Sequence, residues 1–243
     1  MAGHSHWANI QRTKSKQDAK RGKIFSKWAK LIMSSARTGG GDPSMNLALR
    51  YAIERAKADN MPKDSIERAV RKGAGEDGDA RLEEVLYEAF GPGGVAFMIE
   101  TLTDNRNRTA PNLRNILSKR GGNLAESGAV SWMFQRKAIF AIPKEGVEED
   151  ALMELALEAG ADDVTTEEDA IYGIEADPGQ YLQVKESLEG RELEMLDASI
   201  RYISDTPLDV DAEMGAKVLE LVELLEEDDD VQEVHHNAEF PEG

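Results

Sequence analysis

The sequence predicts an α+β multidomain protein: an N-terminal three-helix bundle followed by two ferredoxin-like-type α+β domains, the third inserted in the second. Three observations carry that expectation. Apolar residues recur at helical spacing up to Gly73 and at strand spacing from Glu83 onward. Residues 138–204 read strand, helix, strand, strand, helix, strand, a βαββαβ unit complete in itself. The ββαβ piece before it (83–136) and the αβ piece after it are each too small for a core, so we join them into one domain. The expected division is 1–75, then 81–137 with 206–243, and 138–205 inserted between.

The first helix starts within the stretch Gly3–Arg37. Ile24, Phe25, Trp28, Leu31, Ile32, Ser35 and Ala36 share one side of it at 100° per residue, and Lys20, Lys23, Lys27, Lys30 and Arg37 follow the neighbouring side. Thr38-Gly39-Gly40-Gly41 ends it. Asp42-Pro43 reads as an N-cap with proline at the first helical position, opening a second helix to about Ala58 that buries Leu49, Ile53 and Ala56. Asn60-Met61-Pro62 opens a short third helix with Ile66, Ala69 and Val70 inside, and the second and third can form a helix-turn-helix. Gly73 to Ala80 has linker composition.

Val85–Phe90 and Val95–Leu102 flank Gly91-Pro92-Gly93-Gly94 as a hairpin. We expect Thr109 to cap a helix that runs to Arg120, and 131–136 to form a further strand of the second domain. The inserted unit follows as Ala138–Ile142, Val147–Ala159, Asp163–Thr166, Ala170–Ala176, Pro178–Leu188 and Glu194–Ser204. A helix over 211–227 with Met214, Val218, Leu221, Val222 and Leu225 inward, then a strand Val231–Asn237, close the chain. Glu226 to Asp230 reads as a solvated helix end, since its spacing lacks that of a calcium loop.

Charge separates the chain more sharply than hydropathy does. The formal net charge is −18, yet residues 1–75 hold 16 Lys/Arg against 6 Asp/Glu. Residues 141–243 hold 5 against 32. A basic front on an acidic chain points to an anionic polymer as partner. The candidates for phosphate contact are Arg12, Lys14, Lys16, Lys20, Arg21, Lys23, Lys27 and Lys30, which give affinity without sequence readout. Trp7 can stack on a base or pin the arm to the bundle. Arg106 and Arg108 stand at a helix N-terminus, where they form an anion site or pair with Asp104 or Glu100.

Other chemistry is poorly supplied. There is no cysteine, so disulfides, thiolate catalysis and cysteine–zinc sites are excluded. The chain holds no Gly-x-Ser-x-Gly and no His-Glu-x-x-His, and we expect no catalytic residues and no cofactor. With Met1 removed, Ala2-Gly3-His4 suits square-planar Cu(II) or Ni(II), a geometry often met adventitiously, and we expect no working metal site. His235 and His236 alternate on a strand and do not converge on one ion. No apolar run approaches the roughly 18 residues of a membrane span, so we expect a soluble, cytoplasmic protein with no membrane partner.

Several stretches together resemble the YebC/PmpR family: GHS-x-WAN at Gly3–Asn9, QDAKRGKIFSK at Gln17–Lys27, GGGDP at Gly39–Pro43, NMPKDSIERAV at Asn60–Val70, YEAFGPGGVAFMIETLTDNRNRT at Tyr87–Thr109 and GGNL at Gly121–Leu124. That family includes a mitochondrial translational activator of cytochrome oxidase. The resemblance implies three domains with the third inserted in the second. It also implies either a DNA-binding transcriptional regulator or a translation factor that meets ribosomal RNA and ribosomal proteins. Carried onto this chain, the nucleic-acid surface is Lys14 to Lys30 with Arg106 and Arg108. This chain departs at His6, where relatives have Lys, and at Gln11-Arg12-Thr13, where they are more basic. A small-molecule enzyme with an interdomain cleft is the third class of function.

Overall fold

The computed structural model describes residues 21–75, 82–166 and 170–241. Among them, 21–127 with 217–234 form one compact unit, and 128–216 with 235–241 form another.

The first unit begins with three helices, α1 (Arg21–Gly39), α2 (Leu47–Ala58) and α3 (Lys63–Gly73). Ile32, Ala36, Leu49, Ala52, Ala56, Ile66 and Ala69 make their common core, as the 3.6-residue spacing requires. Trp28 lies against this core and its indole N–H donates to Asp59 at 2.6 Å. At Gly73 the backbone of α3 lies directly against α1, since a Cβ there would stand 2.4 Å from the Met33 carbonyl oxygen.

The start of α2 differs from the sequence expectation. Its N-cap is Asn46, whose side-chain oxygen accepts from the Leu49 N–H while its amide donates to the Ser35 and Gly40 carbonyls at 2.8 Å each. Asp42 instead closes a local turn by accepting from the Ser44 amide and hydroxyl. Both residues are good caps by type, but Asn46 alone also has donors, and it uses them to fasten the end of α1. Asn60, at φ 62°, ends α2 in the left-handed conformation that asparagine tolerates.

This unit holds a four-stranded sheet, β3 (Asn123–Leu124), β1 (Glu83–Phe90), β2 (Ala96–Thr103) and β9 (Val231–His236) in that order. Strands β1 (Glu83–Phe90) and β2 (Ala96–Thr103) pair in register from Glu83–Thr103 to Phe90–Ala96. Gly93 and Gly94 adopt positive φ in the turn between them. β2 is buried along most of its length because strands flank it on both sides. Helix α4 (Arg106–Lys119) and the two-residue strand β3 (Asn123–Leu124) follow. Strand β9 (Val231–His236) completes the sheet. The cap of α4 is Asn105, whose side chain accepts from the Arg108 N–H. Thr109, the expected cap, is buried in the first turn instead.

The second unit is built on β4 (Phe134–Pro143), α5 (Glu149–Glu158), β5 (Ala161–Thr165), β6 (Ile171–Ala176), α6 (Tyr181–Glu189) and β7 (Asp197–Ser204). Its sheet runs β5-β6-β4-β7 with every neighbour antiparallel, which is the ferredoxin-like order. Tyr181 stacks on Phe140 at 5.4 Å and its hydroxyl donates to the Ala198 carbonyl. The expected strand 131–136 is not a separate element of the other sheet. Residues 134–137 begin β4 and pair with Arg201–Ser204 of β7, because β7 is long enough to hold eight partners in a row. The expected boundary at 137 therefore falls inside one continuous strand.

Strand β8 (Leu208–Asp209) pairs in parallel with β10 (Ala238–Glu239), and helix α7 (Ala212–Glu226) starts between them in sequence. His235 meets the edge of Tyr202 and His236 the edge of Phe240. The Nδ1 of His236 accepts from the Ala238 N–H at 3.2 Å, which requires an unprotonated Nδ1. Burial, with His235 adding, pushes the His236 pKa down to about 4.

Two outcomes follow from this packing. Gly73→Ala should destabilise the protein by about 1–3 kcal/mol in urea unfolding, because helix backbone and not a flexible side chain meets the new methyl. The unfolded chain takes up a proton at histidine near ~6.5 while native His236 resists it. Stability should therefore be whole above that pH and drain as pH falls towards 4, and an NMR titration of the His236 ring should show the depressed midpoint.

Candidate nucleic-acid interface

Lys23, Lys27 and Lys30 recur at intervals of four and three, which places them along one face of α1. All three ammonium groups reach the chain just past the end of α7. Lys23 Nζ lies 3.2 Å from the Glu227 carbonyl oxygen, Lys27 Nζ 3.4 Å from that of Gln232, and Lys30 Nζ 2.7 Å from that of Asp229. Lys30 also pairs with the Asp230 carboxylate at 3.1 Å.

Asp230 is the centre of this arrangement. Its side chain is only 4% exposed. Its Oδ2 accepts from Arg108 Nη2 at 2.6 Å, from the Thr109 hydroxyl at 2.8 Å and from the Thr103 hydroxyl at 3.2 Å. Its backbone carbonyl accepts from the Leu102 N–H at 2.7 Å, which sets β9 beside β2. Burial alone would raise this carboxyl, and the hydrogen bonds from Arg108, Thr109 and Lys30 outweigh it and hold it below the ordinary aspartate value. A pocket of about 460 Å³ opens beside the cluster, its lining mixing the carboxylates of Asp104 and Asp228–Asp230 with Lys30 and Arg108.

The arginines at the start of α4 are each engaged by carboxylates while remaining largely exposed. Arg108 bridges Asp104 and Asp230, and Arg106 pairs with Glu83 at 2.5 Å. Trp7, Arg12, Lys14, Lys16, Lys20 and the side chain of Arg21 lie outside the described residues, as do His4 and His6. Of the expected surface, then, Lys23, Lys27, Lys30 and Arg108 come together around 227–232, and Arg106 stands apart on Glu83. Helix α3 carries further cations outside the expected surface: Arg68, Arg71 and Lys72 are exposed, and among the described residues they make no ion pair.

Asp230 is the residue that sequence reasoning missed. The run 226–230 reads as a solvated helix end, yet its last member is buried. One signal was present. Acids crowd the C-terminal end of α7, whose last turn holds no basic residue, and the helix dipole disfavours negative charge there. That cost calls for cations from elsewhere in the chain.

A helical bundle is followed by two α+β sheets, and one buried carboxylate gathers cations from the bundle and from the start of α4. Residues 5–76 match the TACO1/YebC protein N-terminal domain, and residues 82–238 match the TACO1/YebC second and third domain. The chain belongs to the TACO1/YebC family. A Treponema denticola protein named "Probable transcriptional regulatory protein" is 49% identical over all of this chain and 98% of its own length. One from Hathewaya histolytica, named "Probable transcriptional regulatory protein ORF2U", is 50% identical over all of this chain and 99% of its own. The crystal structure of a conserved hypothetical protein from Aquifex aeolicus superposes with a TM-score of 0.82 at 44% identity, covering 94% of both chains. Among the described residues, no helix is long and apolar enough to cross a membrane.

Replacing Asp230 with alanine takes from Arg108 one of its two carboxylates and from the buried Thr103 and Thr109 hydroxyls their shared acceptor, and should cost about 1–3 kcal/mol in urea unfolding. A carboxyl held below its unfolded value stabilises the protein fully above the ordinary aspartate range of ~3.9. That contribution is lost as pH falls through the native value. The acid limb of a stability–pH curve should therefore flatten in Asp230→Ala, and an unchanged limb would remove Asp230 from this role.

Proposed function

We propose that this chain is a cytoplasmic regulator of gene expression, without enzymatic activity, that binds nucleic acid through its basic N-terminal segment. The observation that carries the reading is the charge separation: 16 Lys/Arg against 6 Asp/Glu in residues 1–75 of a chain whose net charge is −18. Phosphate attraction gives such a segment its affinity. Arg12, Lys14, Lys16, Lys20 and Arg21 supply the first contacts, Trp7 stacks or anchors, and Lys23, Lys27 and Lys30 extend the surface along α1. Arg106 and Arg108 belong to it as second-rank contacts, since each already holds a carboxylate. The names of the relatives support a role in regulating transcription, and DNA is the partner we propose for it.

A second reading, a translation factor bound to ribosomal RNA and ribosomal proteins, is favoured by one feature. The exposed face of α3 mixes Lys63, Arg68, Arg71 and Lys72 with the acids Asp64 and Glu67, whose charge opposes entry into a groove. Reading a sequence in the major groove needs several base-reading side chains from one element, whereas a structured RNA is met by shape and backbone.

Reversing Lys14, Lys16 and Lys20 to glutamate in the full chain should weaken binding to a fluorescent 20-nucleotide RNA or duplex DNA by at least about tenfold at low salt. It should also lower the slope of log affinity against log salt by about one per lysine. Unchanged affinity and slope would reject the segment as the binding surface. Cross-linking in cells followed by sequencing of the attached nucleic acid separates the two readings: promoter DNA for the first, ribosomal RNA for the second.

A further inference from the structure

We infer that the acidic turn 226–230 is an intramolecular substitute for a phosphate chain, occupying the lysines of α1 in the free protein until nucleic acid displaces it. The inference rests on the nucleic-acid reading of the basic segment.

The contacts themselves have the form of phosphate recognition. Three lysines at successive turns of one helix meet oxygen acceptors strung along a single stretch of chain, the Glu227, Asp229 and Gln232 carbonyls and the Asp230 carboxylate. From Lys23 to Lys30 the helix rises roughly 10 Å, the length over which one nucleic-acid strand presents about three charges. The stretch is also strongly negative: Glu226, Glu227, Asp228, Asp229 and Asp230 stand in a row. The last turn of α7 has no basic residue, and lysines about 200 positions away in the sequence meet the stretch.

The arrangement can open without leaving a buried charge stranded. When Lys30 swings away, Asp230 keeps Arg108, Thr103 and Thr109, so the turn stays anchored. Lys23, by contrast, meets an exposed carbonyl oxygen, and exposed contacts of this kind are individually weak. A polyanion that offers several phosphates at once and releases its own counterions can outcompete them. A mononucleotide offers too few, and the carboxylates of Glu227, Asp228 and Asp229 repel it. The turn therefore sets a threshold that admits long nucleic acid and rejects small phosphates.

The test compares three full-length proteins binding a fluorescent 20-nucleotide single-stranded RNA: the natural sequence, the triple variant Glu227→Gln, Asp228→Asn, Asp229→Asn, and the control Glu148→Gln, Glu149→Gln, Asp150→Asn, which changes net charge equally at a distant point in the sequence. The lysine contacts to the Glu227 and Asp229 carbonyls stay available in the variant, and removing three carboxylates that repel incoming phosphates should tighten binding about tenfold, against less than about twofold for the control. Equal affinities in the two triple variants would overturn the competing role of the turn while leaving nucleic-acid binding intact. Failure of all three proteins to bind the RNA, and likewise duplex DNA, would overturn both readings. A second measurement needs no variant. In the free natural protein, Lys23 and Lys30 should acetylate more slowly than the exposed Lys63, and equal rates would also reject the contact as an occupied state.

Discussion

A carboxylate taken out of water is tolerated only where donors replace its hydration, and Asp230 has Lys30, Arg108, Thr103 and Thr109 around it. These four side chains come from α1, from the first turn of α4 and from the end of β2, so one buried charge ties together elements far apart in the sequence. Its backbone takes part as well. The Asp230 carbonyl receives the Leu102 N–H at the point where β9 joins the sheet, so the strand's position beside β2 and the carboxylate's burial depend on each other. Removing the charge would leave Arg108 with Asp104 alone and Lys30 with the Asp229 carbonyl, and loosen the start of the strand at once.

The second unit is held on a different principle. Its ferredoxin-like sheet buries Ala138, Phe140 and Ile142 of β4 along with Ile174 of β6, and the Phe140–Tyr181 stack fixes α6 against it. Short-range apolar packing of this kind is insensitive to salt, whereas the lysine contacts around 227–232 are screened by it. Ionic strength thus acts on the first unit's acidic turn while leaving the second unit's core alone. The chain's sharp charge separation gains a structural meaning from this: part of the acid is placed against the base, within one compact unit.

Membership of the TACO1/YebC family sets the frame in which a regulatory role is proposed. The lysines of α1 carry that proposal and also hold the turn after α7. A cation that already satisfies a carbonyl is available to a phosphate only by exchange, so affinity for nucleic acid becomes a difference between two competing sets of contacts. The exposed Arg68, Arg71 and Lys72 of α3 face no such exchange.

Much of the architecture was legible in the residues because it is written locally. Glycines at 39–41 and Gly73 end helices, and the change of apolar period at Glu83 announces the first sheet. The βαββαβ order of the second unit follows from alternation and turn residues alone, and the −18 charge with its polarity follows from composition. What the tertiary structure decided were choices between local signals of similar strength. Asn46 won the cap over Asp42 because only its amide could also reach Ser35 and Gly40. Residues 134–137 joined β4 because β7 offered partners as far as Ser204. Asp230 became buried, among five consecutive acids that look alike in sequence, because the threonines and arginine that surround it come from 121 to 127 positions away. No local pattern encodes a desolvation cost that is met by donors from another part of the chain.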